Sequence, residues 1–145
     1  MILSKDSIYQ YIKWGGLSFH PIPSQGQFQP SGIDLILEEV KLIRNGVDVN
    51  FWLARTREMV VMPNNLLGDV ALKSTHARGI QIMPNTKVDP GFHGTITLEI
   101  WAWKDIVLPV GKPFVHFILH ELTSPTEPYH GKYQNQLGIT GAIND

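Results

Sequence analysis

Two carboxylates bracket a turn and the run that follows it in the segment VDPGFHGTITLE, residues 88–99. Asp89 stands directly before Pro90-Gly91. Glu99 closes a stretch in which Thr95 and Thr97 alternate with Ile96, Leu98 and Ile100. A period of two places Thr95, Thr97 and Glu99 on one face of a strand and the aliphatic side chains on the other. A carboxylate that activates water must be held rigidly, and a Pro-Gly turn feeding a paired strand is a rigid mount. The plain structural reading is that Asp-Pro-Gly is a common turn and a glutamate on a polar strand face is solvated.

Two further segments carry groups of the right chemistry. LKSTHAR, residues 72–78, gathers Lys73, Ser74, Thr75 and Arg78 within one turn-sized stretch. Cations beside hydroxyls complement phosphate oxygens, although the same residues also make ordinary polar turns. PYHGKYQNQLG, residues 128–138, holds Tyr129, Lys132, Tyr133 and Gln136 in a tail without apolar periodicity. Such a tail reads as a frayed end unless those side chains have a ligand to hold. His116 and His120 have a spacing that suits zinc on a helix. PFVHFILHEL alternates as a strand, however, which sets the two imidazoles about 13 Å apart, too far for one ion.

The elements that must position these groups read as β. Ser4 can cap a helix through about Trp14, with Ile8 and Ile12 on one face and Gly15-Gly16 ending it. Short apolar or alternating runs follow at 33–43, 49–53, 58–62, 79–83, 95–103 and 113–122, punctuated by Pro, Gly and Asn. Residues 64–68, Asn-Asn-Leu-Leu-Gly, read as one helical turn. Trp101 and Trp103 share the face of Glu99 and are expected in the core. Asp34 reads as a buried acid that ties strands together. Many short strands with few helices predict a mainly β barrel or jelly-roll-like domain with a short N-terminal helix.

At 145 residues the chain makes one domain with a sizeable core. With 12 basic and 13 acidic residues it presents no general polyanion-binding surface, so no nucleic-acid partner is expected. It has no cysteine, which removes thiolate catalysis and the Cys/His zinc site of metal-dependent deaminases. No apolar run approaches membrane-spanning length and the start is no signal peptide, so a cytoplasmic protein is expected.

Taken in order, QPSGIDL (29–35), LKSTHAR, VDPGFHGTITLE, GKPFVHF (111–117) and PYHGKYQNQLG resemble the dCTP deaminase and trimeric dUTPase superfamily. MILSKDSI at the start and TREMVVMP (56–63) are similar to it as well. The resemblance covers essentially residues 1–145 and is closest to compact archaeal-type dUTPases. It implies a distorted β-barrel that works as a homotrimer with sites at subunit interfaces. It also implies Mg²⁺ held mainly by triphosphate oxygens rather than by a protein cage. Asp89 then matches the aspartate that activates water, and an ordinary carboxylate is ionised at neutral pH. Lys73, Ser74, Thr75 and Arg78 would bind phosphates or organise a neighbouring subunit's site. Phe92 takes the place of a tyrosine that stacks on deoxyribose. Tyr129, Lys132 and Gln136 would complete a clamp in residues 123–145, which close over the nucleotide.

The resemblance also sets out a choice of reaction. Classical dUTPases have an apolar residue at the position of Glu99, whereas deaminases use a glutamate there to carry a proton from water to the leaving amine. Glu99 thus favours zinc-free dCTP deamination, or both reactions in one site. Against it, deaminases usually carry a His-x-Thr-Ala-like run before the aspartate, and this chain has Met83-Pro84-Asn85-Thr86-Lys87. Compact dUTPases have a proline in this loop and segments similar to 111–117 and 128–138. The leading expectation is dUTP hydrolysis to dUMP and pyrophosphate, with dCTP deamination as the alternative. The family's usual Gly-Arg-Ser-Ser-Leu-Ala-Arg is altered at Leu72, Lys73, Thr75 and His76, and lysine keeps the charge but loses the bidentate fork. Those changes keep a non-catalytic nucleotide-binding protein in view.

Overall fold

The computed structural model describes residues 1–144. It opens with helix α1, Lys5–Trp14, whose Ser4 cap accepts from the Ser7 amide and whose Gly15 N–H closes the end on the Tyr11 carbonyl. Nine strands follow: β1 Ser18–His20, β2 Phe28–Gln29, β3 Gly32–Asn45, β4 Val49–Val61, β5 Leu66–Leu72, β6 Gln81–Ile82, β7 Thr86–Val88, β8 His93–Trp103 and β9 Pro113–Glu121. A short helix, α2 Ser74–Arg78, sits between β5 and β6. The strands form one antiparallel sheet in the order β6-β8-β4-β3-β9-β5-β7, with β1 on β4 and β2 on β3. Its two ends, β6 and β7, are successive in the chain, so the sheet curls into a half-barrel of the jelly-roll-like kind the sequence predicts. Among the described residues no helix is long and apolar enough to cross a membrane.

Alternation drives the packing. On β8, Leu98, Ile100 and Ala102 are buried, and on β9 Phe117 and Leu119 join them in a core with Ile33, Leu35 and Leu37 of β3. Trp101 and Trp103 do not reach this core. They face outward with 38% and 40% of their surface exposed, because the inner face of β8 is already filled by the aliphatic set. Glu99 and Thr97 share their face, as the period of two requires.

Further expectations change in the structure. Residues 49–53 and 58–62 belong to one strand, β4, broken by register shifts rather than by a loop. At the shift Glu58 turns inward and is 1% exposed. Its Oε1 accepts from the Ile36 amide at 3.0 Å and its Oε2 from Gln27 Nε2 at 2.7 Å. Thr56 Oγ1 donates to the Glu58 carbonyl and accepts from the Ile96 amide, so side chains satisfy backbone groups that a straight ladder would pair. Residues 64–68 are no helical turn. Leu66, Gly68 and Val70 alternate inward on β5, which pairs with β9 from Leu66–Glu121 to Leu72–Val115. Gly68 is required there, since an added Cβ would lie 2.1 Å from the Phe117 ring. The run 79–83 shortens to β6, and Thr86–Val88, read as loop, is strand β7. The two histidines of β9 stand on one strand face, and no group of three metal-ligating side chains gathers among the described residues.

Candidate active site

The Asp89–Phe92 turn is closed by a hydrogen bond of 3.1 Å from the Phe92 amide to the Asp89 carbonyl. Pro90 supplies the fixed φ of its second position and Gly91, at φ +79°, the left-handed third. Gly91 is confined as well as twisted. A Cβ there would meet Pro128 at 2.5 Å, because the C-terminal segment lies directly on the turn.

That segment is stitched to the turn and to the start of β8. The Tyr129 amide donates to the Pro90 carbonyl at 2.8 Å, the Asn135 amide to the His93 carbonyl at 2.8 Å, and the Thr95 amide to the Gln136 carbonyl at 2.9 Å. Gln134 bonds the Gly91 carbonyl through Nε2 and the His93 amide through Oε1. Gln136 Nε2 donates to the Thr95 carbonyl, while its Oε1 is buried with no hydrogen-bond partner among the described residues. Further on, the Thr140 amide donates to Thr97 Oγ1 at 3.2 Å. The tail is therefore a docked part of the fold.

Beneath it lies a cavity of about 680 Å³. Asp89, Glu99, Phe92, Tyr129 and Gln136, five of the residues singled out in the sequence, line it together. Asp89 is exposed at the turn, while Glu99 is half-buried. Desolvation pushes the Glu99 carboxyl above its ordinary pKa, only partly offset by its own backbone N–H and by the Thr86 hydroxyl 3.5 Å from Oε2. Phe92 is buried and tilts against Tyr129, ring centroids 5.9 Å apart. A carboxylate at a water-exposed turn and a second in a drier recess can take up protons in different steps of one reaction.

The other singled-out residues lie elsewhere. Lys73 caps α2 and is ion-paired with Asp34, a buried acid that also accepts from Gln29 and pairs with His116 at 3.0 Å. Ser74, Thr75 and Arg78 are exposed on α2 and do not line the cavity. Lys132 Nζ lies 5.9 Å from the ring centroid of Tyr133, which does line it. Sequence reasoning missed Thr86, Lys87 and Thr97 as lining residues, along with an apolar wall of Ile43, Phe51 and Leu53. Lys87 was findable from its place two positions before Asp89. The apolar wall comes from the β3–β4 hairpin and carries no chemical signal.

Comparison with known proteins agrees with this architecture. A family model for dCTP deaminase-like domains matches residues 47–122. A probable deoxyuridine 5'-triphosphate nucleotidohydrolase of Sulfolobus islandicus rod-shaped virus 1 is 33% identical over 159 aligned residues, spanning 100% of both chains. A dCTP deaminase of Desulfurococcus amylolyticus is 39% identical over 114 residues, which span 75% of this chain and 63% of that protein. The crystal structure of a 2'-deoxycytidine 5'-triphosphate deaminase from Agrobacterium tumefaciens superposes with a TM-score of 0.67. At 16% identity over 83% of this chain and 47% of that one, it bears on the fold alone. A full-length relative at 33% identity and a family model over more than half the sequence place this chain in the dCTP deaminase and dUTPase family.

Proposed function

We propose that this protein hydrolyses dUTP to dUMP and pyrophosphate. The observation that carries the reading is that Asp89, at a water-exposed turn, shares one cavity with the tail residues Tyr129 and Gln136. In this reading Asp89 takes a proton from water as the water oxygen bonds to phosphorus and the α–β phosphate bridge breaks. Phe92 and Tyr129 wall the sugar. No protein cage for a metal gathers among the described residues, which fits a Mg²⁺ carried in on the triphosphate oxygens. Bound there, it neutralises charge developing on the phosphates.

A homotrimer belongs to the same reading, acting on free nucleotides in the cytoplasm. Ser74, Thr75 and Arg78 are exposed and do not line their own cavity, so a neighbouring subunit's cavity is where they would meet phosphate. The outward Phe51–Trp101 pair, centroids 4.5 Å apart, gives such a neighbour an apolar face beside the site. Mixing Asp89→Asn with Arg78→Ala protein tests this. Activity regained in the mixture supports shared sites, and a mixture as inactive as its components refutes them.

A second reading is favoured by one observation, the desolvated Glu99 in the same cavity. There, water would add to C4 of dCTP, and Glu99 would pass the proton to the departing amine. Incubation with dUTP and dCTP separately, with Mg²⁺, followed by chromatography of the products, decides between them. dUMP from dUTP with dCTP untouched supports hydrolysis. dUTP formed from dCTP, or dUMP formed from dCTP, supports deamination. Tight binding of either nucleotide without turnover identifies a non-catalytic binding protein.

A further inference from the structure

The charges lining the cavity do not balance for a polyphosphate. Asp89 and Glu99 are both acids, and Lys87 is the one positively charged side chain lining it among the described residues. A triphosphate brings about four negative charges and needs donors where it sits. Lys73 is engaged by Asp34, and Ser74, Thr75 and Arg78 stand outside the cavity.

Lys87 is placed by β7, two positions before Asp89, and faces Asp69 directly across the β5–β7 ladder. Its Nζ lies 2.9 Å from Asp69 Oδ1, close enough for an ion pair. Among the described residues that oxygen is buried and has no hydrogen-bond partner, so the ion pair with Lys87 is the polar contact it keeps. The lysine side chain is more than half exposed and lines the cavity, so its ammonium is open to a ligand there while Asp69 is largely covered. A lysine on a flexible stem can exchange this single carboxylate for phosphate oxygens, which carry more negative charge.

We propose that Lys87 is a phosphate-binding residue of this cavity, parked on Asp69 when the site is empty and transferred to the triphosphate when it is filled. This rests on the nucleoside triphosphate reading above. Asp69 is then a positioning residue, holding the ammonium at the cavity without neutralising it permanently.

The test is calorimetric binding of the α,β-imido analogue of dUTP and of dUMP, with Mg²⁺, to wild type, Lys87→Met, Lys87→Arg and Asp69→Asn. Lys87→Met is expected to weaken the triphosphate analogue at least tenfold and dUMP by less than threefold. Lys87→Arg should keep most of the affinity, and Asp69→Asn should tighten the analogue by releasing its competitor. Equal losses for both ligands in Lys87→Met would mark a merely structural role and overturn the proposal, as would unchanged analogue binding. If wild type itself binds neither ligand, the nucleotide reading fails first and Lys87 falls with it. Urea unfolding of each variant separates a lost ligand contact from a lost fold.

Discussion

Replacing Gly91 by alanine tests how the tail and the turn depend on each other. The change has two separable costs. Alanine at φ +79° is strained by about 1–2 kcal/mol, which should appear in global stability. Its Cβ would also stand 2.5 Å from Pro128 Cβ and 2.7 Å from Pro128 Cα, closer than packed atoms approach, so the tail must lift. Lifting at that point removes the Tyr129–Pro90 and Gln134–Gly91 hydrogen bonds. At about 1 kcal/mol net for each, local opening becomes easier by about 2 kcal/mol. Amide exchange at Tyr129, Asn135 and Thr95 should then quicken by about thirtyfold. Gly138→Ala is the control. It carries the same kind of strain at φ +77° but has nothing within 4 Å to collide with. Gly91→Ala should lose about 2 kcal/mol more stability in urea than Gly138→Ala, and only Gly91→Ala should lose tail protection. Equal exchange rates in the two variants would refute the argument that contact with Pro128 holds this glycine.

Glu58→Gln should cost about 1–3 kcal/mol in urea unfolding at neutral pH, because the amide cannot accept from both the Ile36 amide and Gln27 Nε2; an unchanged midpoint would show that the network rearranges freely. Gly68→Ala should cost about 1–3 kcal/mol by pressing on the Phe117 ring, and thermal unfolding at wild-type temperature would contradict the packing described. Glu99 has a folded pKa above its ordinary 4.5, so its contribution to stability is complete below that value and fades as pH rises through the folded one. Glu99→Gln should flatten that part of the stability–pH curve, and parallel curves for variant and wild type would mean the desolvation is not felt.

Legibility followed the kind of force involved. Where side-chain alternation fixes structure, as on β8 and β9, the sequence alone located the strands and the face bearing Glu99. Capping by Ser4 was equally plain. The misread segments are those where backbone or distant packing decides. Asn64-Asn65 ahead of Leu66 looks like a turn, and only Phe117 across the ladder explains why Gly68 belongs in a strand. The division of β4 into two runs misread the bulge at Glu58, whose partners Gln27 and Ile36 are remote in sequence. Asp89, Glu99, Phe92, Tyr129 and Gln136 could be read as candidates because their types are chemically marked. Thr86 and Lys87 carry no such mark, because β7 is three residues long, too short for its alternation to show in the sequence. The docking of the tail rests largely on main-chain hydrogen bonds, which leave no trace in side-chain identity.

The curl of the sheet has a mechanical side. Among the described residues β7 is laddered only to β5 and β6 only to β8, so the line between β7 and β8 is crossed by the Thr86–Glu99 contact rather than by a ladder. The cavity opens along this unlaced seam. A change of width along this line would leave every strand pair intact, whereas the tail and the short β6–β7 connection would have to follow it. Such a division leaves the laddered sheet and its core constant while the segments at its margin can change.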